Sequence, residues 1–288
     1  ITAWLKYIFY KRPYIYVSLE LARPVAFEGF AKIIPWLEGR ALRNSAALII
    51  QDSERLATLT SYHGYKHPKV FFLPNSPSSA QCAAKPVPLE NYFRRKFNLD
   101  AKRFPHIALQ AGVISDVFFA RELAATFRKI EDGVALVFHD REQRSMNEPY
   151  LQTLHEINPV NLFLSLDPVP FDQIDRIFSA ATIGLAFYRD IDNNHAQIAM
   201  ASGKLAFCLK HSLPVLVNNL PSLERLNRKY QFGCVINDPA DHLEIAAALR
   251  QITSSYDRMS ENARRCYLSE FDFKKNGQPV LAFIKELC

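Results

Sequence analysis

The sequence contains little glycine: nine residues in 288, with no G-x-G-x-x-G segment and no P-loop. The chain therefore lacks the usual dinucleotide-binding and Walker-type phosphate motifs. The G-x-S-x-G nucleophile elbow is also missing, which argues against a hydrolase built around that turn. No run of about 18 uncharged apolar residues occurs, so the sequence predicts no membrane-spanning helix.

The cysteine pattern does not indicate a metal site or a redox site. The five cysteines, at 82, 208, 234, 266 and 288, form no C-x-x-C pair and have no zinc-ligand spacing. Such a pattern favours a reducing compartment, so we expect a cytoplasmic protein without a metal site.

The composition is that of a globular chain, with 49% hydrophobic and 22% charged residues. The length suffices for two domains. A net charge of +6 favours anionic partners such as phosphates, nucleotides or an acidic membrane face. Basic charge alone is poor support for nucleic-acid binding, which we do not expect.

Short apolar segments alternate with longer amphipathic ones along most of the chain. Strands are predicted at 14–21, 47–51, 69–73, 106–114, 134–139, 161–167, 183–188, 214–218 and 233–237. Helices are predicted at 28–45, between a cap at 52 or 53 and Gly64, and at 119–131, 148–157, 171–181, 203–211, 221–230, 239–252, 258–269 and 273–287. Strands that are apolar on both faces and alternate with helices indicate α/β layers around parallel sheets.

The Pro/Ser/Ala-rich segment 76–88 is predicted to be a linker. It separates a first domain at 1–85 from a second at 86–270, and 271–288 is predicted to be a terminal helix that packs back on the first. Three strand–helix units make a thin domain. We therefore expect the first domain to be the second half of a larger sheet whose first half lies upstream of Ile1.

The sharpest local signal is Ser202-Gly203-Lys204, at the predicted start of a helix. Unpaired backbone amides, the helix dipole and a lysine together suit a phosphate. The alternative is an ordinary helix start with a solvated lysine.

Weaker signals occur in the segment after the predicted strand 183–188 and near the start of the sequence. His195, beside Asn193 and Asn194, could contact a sugar hydroxyl, or it is a surface histidine without a function. Asp190 and Asp192 are thin evidence for a cation site. The aromatic and basic stretch 4–12 fits either an interfacial membrane contact or the core of an incomplete domain.

Several segments, in order, resemble the GT-B glycosyltransferases, particularly the glycogen-synthase-like family 4 group. They are VFFLPNSP (70–77), HIALQAGVI (106–114), DQIDRIFSAATIGLAFY (172–188), SGKLAFCLKHSLPVLVNN (202–219) and FGCVINDPADHLEIAAAL (232–249). The resemblance implies two Rossmann-like, doubly wound α/β domains that face a cleft, the first of them incomplete here.

The activity implied by the resemblance is transfer of a sugar, with retention, from a nucleotide diphosphate sugar to an acceptor hydroxyl in glycan or polysaccharide synthesis. The acceptor would be a glycan or lipid-linked sugar, with no cofactor or metal, in the cytoplasm or at the inner face of the membrane. Two other activities stay open: a non-catalytic GT-B adaptor and a nucleotide-sugar epimerase.

Carried onto this sequence, the resemblance assigns substrate-binding roles. Ser202, Gly203 and Lys204 would hold the donor diphosphate, Gly112 would let the backbone approach it, and Val169 would meet the base through main-chain groups. The donor sugar and phosphates would be approached by a second group: Asn193, Asn194 and His195.

The sequence departs from the family pattern at two motifs. A glutamate pair of the relatives is replaced by Ala199 and Phe207. Val113 and Phe118 stand where relatives carry a basic residue after the first-strand glycine, and Arg121 is the nearest substitute. We identify no catalytic base, because it would come from earlier strands.

Overall fold

The computed structural model describes residues 12–21, 29, 33–77, 92–130 and 133–287. Most of the predicted linker at 76–88, nearly all of the 4–12 stretch, Cys82 and Cys288 lie outside the described residues. The chain divides into two compact units: Ile1–Ala80 with Phe271–Cys288, and Gln81–Glu270.

The first unit is built on a three-stranded parallel sheet in the order β1-β2-β3. Its elements before residue 80 are β1 (Ile15–Val17), α1 (Ile33–Arg43), β2 (Ala47–Ile50), α2 (Ser53–His63) and β3 (Val70–Phe72). The central strand β2 is buried along its whole length, as expected of a parallel strand covered on both faces.

Helix α2 shows how the local sequence sets its ends. The Asp52 side chain accepts hydrogen bonds from the N–H groups of Glu54 at 2.8 Å and Arg55 at 2.9 Å. Gly64 ends the helix in the left-handed conformation, with φ 56°. Both ends therefore lie where the capping residues predict them.

The second unit holds a six-stranded parallel sheet in the order β6-β5-β4-β7-β8-β9. Its strands are β4 (His106–Ala111), β5 (Val134–His139), β6 (Leu162–Ser165), β7 (Ile183–Ala186), β8 (Val215–Asn218) and β9 (Gly233–Ile236). Its helices are α3 (Tyr92–Phe97), α4 (Ala120–Arg128), α5 (Pro149–Ile157), α6 (Asp175–Phe178), α7 (Asn193–Ala196), α8 (Gly203–Lys210), α9 (Pro221–Tyr230), α10 (His242–Ser254) and α11 (Tyr256–Cys266).

The helices of this unit form two groups, as a doubly wound sheet requires. Helix α4 packs against α5 and α10, whereas α8 packs against α6 and α11. Right-handed crossovers in opposite directions from β4 put these groups on opposite faces of the sheet. The larger core is buried between the sheet and the α4 group, with Leu123, Phe127 and Leu151 fully enclosed.

The last helix, α12 (Phe273–Leu287), belongs to the first unit. It packs against β3, where the rings of Phe71 and Phe283 lie 5.4 Å apart. The Lys69 ammonium group lies over both rings, 5.5 Å and 5.1 Å from their centroids. The first unit is thus completed by a segment distant in sequence.

The predicted element types hold, but several bounds were wrong. Strand β4 ends at Ala111 instead of 114, because Gly112 adopts φ 122° and turns the chain out of the sheet. The predicted helix 171–181 is a 3₁₀ turn, Phe171–Gln173, followed by the short α6. Helix α3 was not predicted as a separate element.

Candidate functional site

The candidate site lies at the carboxyl edge of the six-stranded sheet. Strand β4 has β5 on one side and β7 on the other. The chain winds away from β4 in both directions, so a crevice opens beyond the carboxyl ends of β4 and β7. The loop after β4 begins with Gly112, and the segment after β7 begins with Phe187 and Tyr188.

Hydrogen bonds fix the loop after β4. The Gly112 N–H donates to the His139 carbonyl at 2.9 Å. The Ile114 N–H donates to the Asp140 carboxylate at 3.1 Å, and Arg144 donates to the Ile114 carbonyl at 3.0 Å. The positive φ of Gly112 is one that L side chains rarely adopt. Position 112 is therefore a rigid turn with no side chain over the crevice.

The opposite wall is the start of α8. Ser202 is its N-cap, and the hydroxyl accepts a hydrogen bond from the Leu205 N–H at 2.9 Å. That bond leaves the N–H groups of Gly203 and Lys204, the first two residues of α8, outside the helix's own hydrogen-bond pattern. The Tyr188 hydroxyl bonds the Ser202 hydroxyl and fixes the cap to the end of β7.

Lys204 reaches from α8 towards the β4 loop. A Cβ built on Gly112 would lie 3.8 Å from Lys204 Cε, so the two predicted residues are brought together. The Lys204 Nζ lies 4.3 Å from the Phe118 ring centroid and 5.0 Å from that of Tyr188. Within the described residues, this buried Nζ has no hydrogen-bond partner.

The environment of Lys204 favours its neutral form. Burial lowers the pKa of this amine to about 7, and the nearby Cys208 thiol opposes the change only weakly. No other described atom lies within 4 Å of a Cβ built on Gly203, so there is open space beside the first residue of α8. A buried amine without a partner beside open helix amides has the donor set that an anion requires.

Other basic side chains near the carboxyl edge already have carboxylate partners. Arg144 donates to Glu148 at 2.5 Å and to Asp140 at 3.3 Å, beside a groove of about 690 Å³. Arg121 faces Asp116 at 3.5 Å and is half exposed. Lys204 differs from these residues because, within the described part of the chain, no carboxylate pairs with it.

Arg189 is a residue that the sequence did not single out. It follows β7, and its Nε donates to the Asp116 carbonyl at 2.6 Å. Its guanidinium group pairs with Glu122 and lies 4.3 Å from the Phe119 ring centroid. Arg189 thereby holds the turn that carries Phe118, and only the fold reveals this contact between distant segments.

The Asn193–His195 segment forms the short helix α7. Asp192 caps it, and its carboxylate contacts both the N–H of His195, at 3.0 Å, and the ring Nδ1, at 2.7 Å. Partial burial opposes ionisation of Asp192, but the hydrogen bonds from His195 hold the pKa of the carboxyl below its usual value. The His195 ring is therefore oriented by its own helix cap.

Val169 lies in the loop after β6, the edge strand two places from β4. Two residues later, Phe171 has 75% of its surface exposed. Its ring lies 6.3 Å from that of Phe207, which stacks on Phe178 at 4.9 Å. The loop containing Val169 is thereby joined to α8 one turn beyond Lys204.

Three observations concern only the described part of the chain. No helix there is long and apolar enough to cross a membrane. No three His, Cys, Asp or Glu side chains lie together there as a metal site would require. The thiols of Cys208, Cys234 and Cys266 are buried and free.

No protein-family model and no curated protein sequence matches the chain. Solved structures do. HepE of Anabaena, crystallised with UDP and glucose, is 11% identical, with a TM-score of 0.66 over 98% of this chain and 74% of its own. WaaG, a glycosyltransferase of lipopolysaccharide biosynthesis, is 15% identical, with a TM-score of 0.62 over 93% and 75%. A glycosyltransferase of Rickettsia africae is 11% identical, with a TM-score of 0.69 over 99% and 73%.

These similarities, together with the two parallel sheets, confirm the predicted fold. The chain has the GT-B glycosyltransferase fold, built from Rossmann-like α/β units.

Proposed function

We propose that this protein is a glycosyltransferase that moves a sugar from a nucleotide diphosphate sugar to an acceptor hydroxyl. The observation that carries the proposal is the buried Nζ of Lys204, which has no partner among the described residues and lies beside Gly112 at the switch point of a doubly wound sheet. Nucleotides bind at that point in such sheets. HepE, of the same fold, is described in complex with UDP-glucose, UDP, and UDP and glucose.

In the proposed complex, Lys204 and the first amides of α8 bind the donor diphosphate. The base and ribose extend over Phe207 towards Phe171 and the Val169 loop, because a helical side chain covers the turn preceding its own Cα. Asn193, Asn194 and His195 approach the sugar from the segment after β7.

The reaction breaks the bond between the anomeric carbon and the diphosphate oxygen. That electron pair stays on the leaving nucleoside diphosphate, the acceptor oxygen bonds the anomeric carbon, and the acceptor proton is released. Lys204 and the helix amides stabilise the negative charge that develops on the leaving oxygen. The proposal also includes retention of the configuration at the anomeric carbon and independence of metals. It further includes a glycan or lipid-linked acceptor and a location in the cytoplasm, at the inner face of the membrane.

The test is calorimetric titration of UDP, GDP, ADP and CMP into the wild type and Lys204→Ala. Loss of a charge-assisted contact of about 1.5–3 kcal/mol weakens binding by about 10–150-fold. Lys229→Ala is the matched control, because it removes a lysine that is exposed and already pairs with Glu270. Equal affinity in both variants would show that the site is wrong.

The same titration and one activity assay distinguish the two alternative functions, an adaptor and an epimerase. Failure of all four nucleotides to bind the wild type indicates a non-catalytic adaptor. Conversion of a UDP-sugar without any acceptor indicates an epimerase.

A further inference from the structure

The Lys204 amine occupies a site that suits it poorly when no ligand is bound. An ammonium group carries three N–H donors. Within the described residues, the buried Nζ has no acceptor for any of them. The Phe118 and Tyr188 rings offer cation–π attraction of about 0.5–2 kcal/mol. That attraction is smaller than the cost of an unpaired buried charge.

The titratable groups that face the amine carry no compensating charge. Burial raises the pKa of the Cys208 thiol, on the same helix, to about 12. Burial also raises the pKa of the Tyr188 phenol, at the end of β7, far above neutral pH. Both groups stay uncharged wherever Lys204 titrates.

The two acidic side chains that flank Phe118 in sequence, Asp116 and Glu122, have other partners. Asp116, in the turn that precedes Phe118, accepts the Tyr150 hydroxyl at 2.7 Å. Glu122, on α4, pairs with Arg189. Neither carboxylate forms a hydrogen bond or an ion pair with Lys204, whose pKa is lowered mainly by burial.

We propose that Lys204 takes up a proton when the anionic donor binds, so that binding of the nucleotide sugar is coupled to proton uptake. The inference rests on the proposed function, since the diphosphate is the counter-charge that no described residue supplies. The proton comes from the solvent, the neutral amine becomes an ammonium group, and that group donates to the phosphate oxygens. No other bond changes.

The expected effects follow from a value of about 7 in the free protein. About nine tenths of Lys204 is neutral at pH 8 and about one tenth at pH 6. Binding at pH 8 therefore takes up about 0.9 proton, and binding at pH 6 about 0.1. The affinity falls about tenfold for each pH unit above 7.

The experiment is calorimetric titration of UDP-glucose, ADP-glucose and GDP-glucose in pairs of buffers that differ in ionisation enthalpy, at pH 6 and pH 8. These diphosphate diesters do not titrate in that range, so any proton taken up goes to the protein. In Lys204→Arg the guanidinium group stays charged, and uptake at pH 8 is expected to vanish while binding persists. Lys229→Ala is expected to retain the wild-type uptake.

A second measurement does not depend on that variant folding. The ¹³Cε resonances of labelled lysine contain one signal that is absent from Lys204→Met. In the free protein this signal is expected to titrate near pH 7, and with bound donor it is expected to keep its ammonium position up to pH 9.

The outcomes separate the two proposals. Donor binding with less than about 0.2 proton taken up at pH 8 overturns the coupling and leaves the transferase proposal standing. Uptake that persists in Lys204→Arg, or a Lys204 signal that titrates near pH 10, also overturns it. Failure of all three donors to bind the wild type between pH 6 and pH 9 overturns both.

Discussion

Replacing Lys204 with methionine is expected to stabilise the protein while it removes donor binding. Methionine keeps the length of the side chain and packs well between aromatic rings. A fall in the lysine pKa from 10.5 to about 7 corresponds to about 5 kcal/mol at 1.36 kcal/mol per pH unit. Because the residue retains some accessible surface, we expect a gain of about 2–4 kcal/mol in the free energy of unfolding.

The gain depends on pH in a defined direction. The unfolded chain keeps the Lys204 proton up to about pH 10.5, whereas the folded protein loses it above about pH 7. The penalty in the wild type is therefore complete below pH 7 and fades as the pH rises to 10.5. The advantage of Lys204→Met at pH 9.5 should be about a third of its value at pH 6.5.

The assay is thermal unfolding followed by far-ultraviolet circular dichroism. Tryptophan fluorescence would not report on this unit, because the sequence has no tryptophan between Gln81 and Glu270. An increase of about 5–10 °C in the melting temperature is expected at pH 6.5.

Lys210→Met is the matched control on the same helix. Lys210 is also buried, but its Nζ donates to both Asp175 oxygens, at 2.7 Å and 2.8 Å. Removal of this partner should destabilise the protein by about 1–3 kcal/mol, since Asp175 is half exposed. The two methionine variants are thus expected to shift stability in opposite directions. If Lys204→Met destabilises the protein as Lys210→Met does, the reasoning about an unbalanced amine is refuted.

Two further predictions concern Gly112 and Asp175 of the second unit. Gly112→Ala should cost about 1–2 kcal/mol of stability, because φ 122° strains an L residue, and should weaken nucleotide binding, because a methyl group then stands between the backbone and the ligand. Gly64→Ala, at φ 56° with open space around it, should lower the melting temperature through backbone strain alone. Burial works against ionisation of Asp175, but hydrogen bonds from Lys210 and His211 hold the pKa of its carboxyl below its usual value. Its stabilisation should therefore be present above about pH 4 and lost as the pH falls below it, and acid unfolding of Asp175→Asn should lack that component.

The bounds of helices are predicted best from the sequence where residues at the helix ends determine them. Pro221 opens α9, and the helices at 221–230 and 273–287 have their predicted bounds. Strand ends were predicted less well, because apolar residues such as Val113 and Ile114 continue past the turn at Gly112. Ile114 is buried by tertiary contacts, which a period-two pattern does not reveal.

The site was predicted only in outline. A lysine at a helix start suggests solvent exposure, and the enclosure of Lys204 depends on Phe118 and Tyr188, which the chain brings from two other loops. The part played by Arg189 has the same origin, since its contacts to Asp116 and Glu122 span the sheet edge. Contacts of this kind arise from strand order, which a single sequence leaves open.

The return of α12 to the first unit has a consequence for biosynthesis. This helix leaves the ribosome only after the whole of Gln81–Glu270, yet its Phe283 covers Phe71 on β3. The nascent first unit therefore stays incomplete, with one apolar strand uncovered, while the following unit is synthesised. A chain that stops or is clipped before residue 273 would leave that strand open to chaperones and to aggregation.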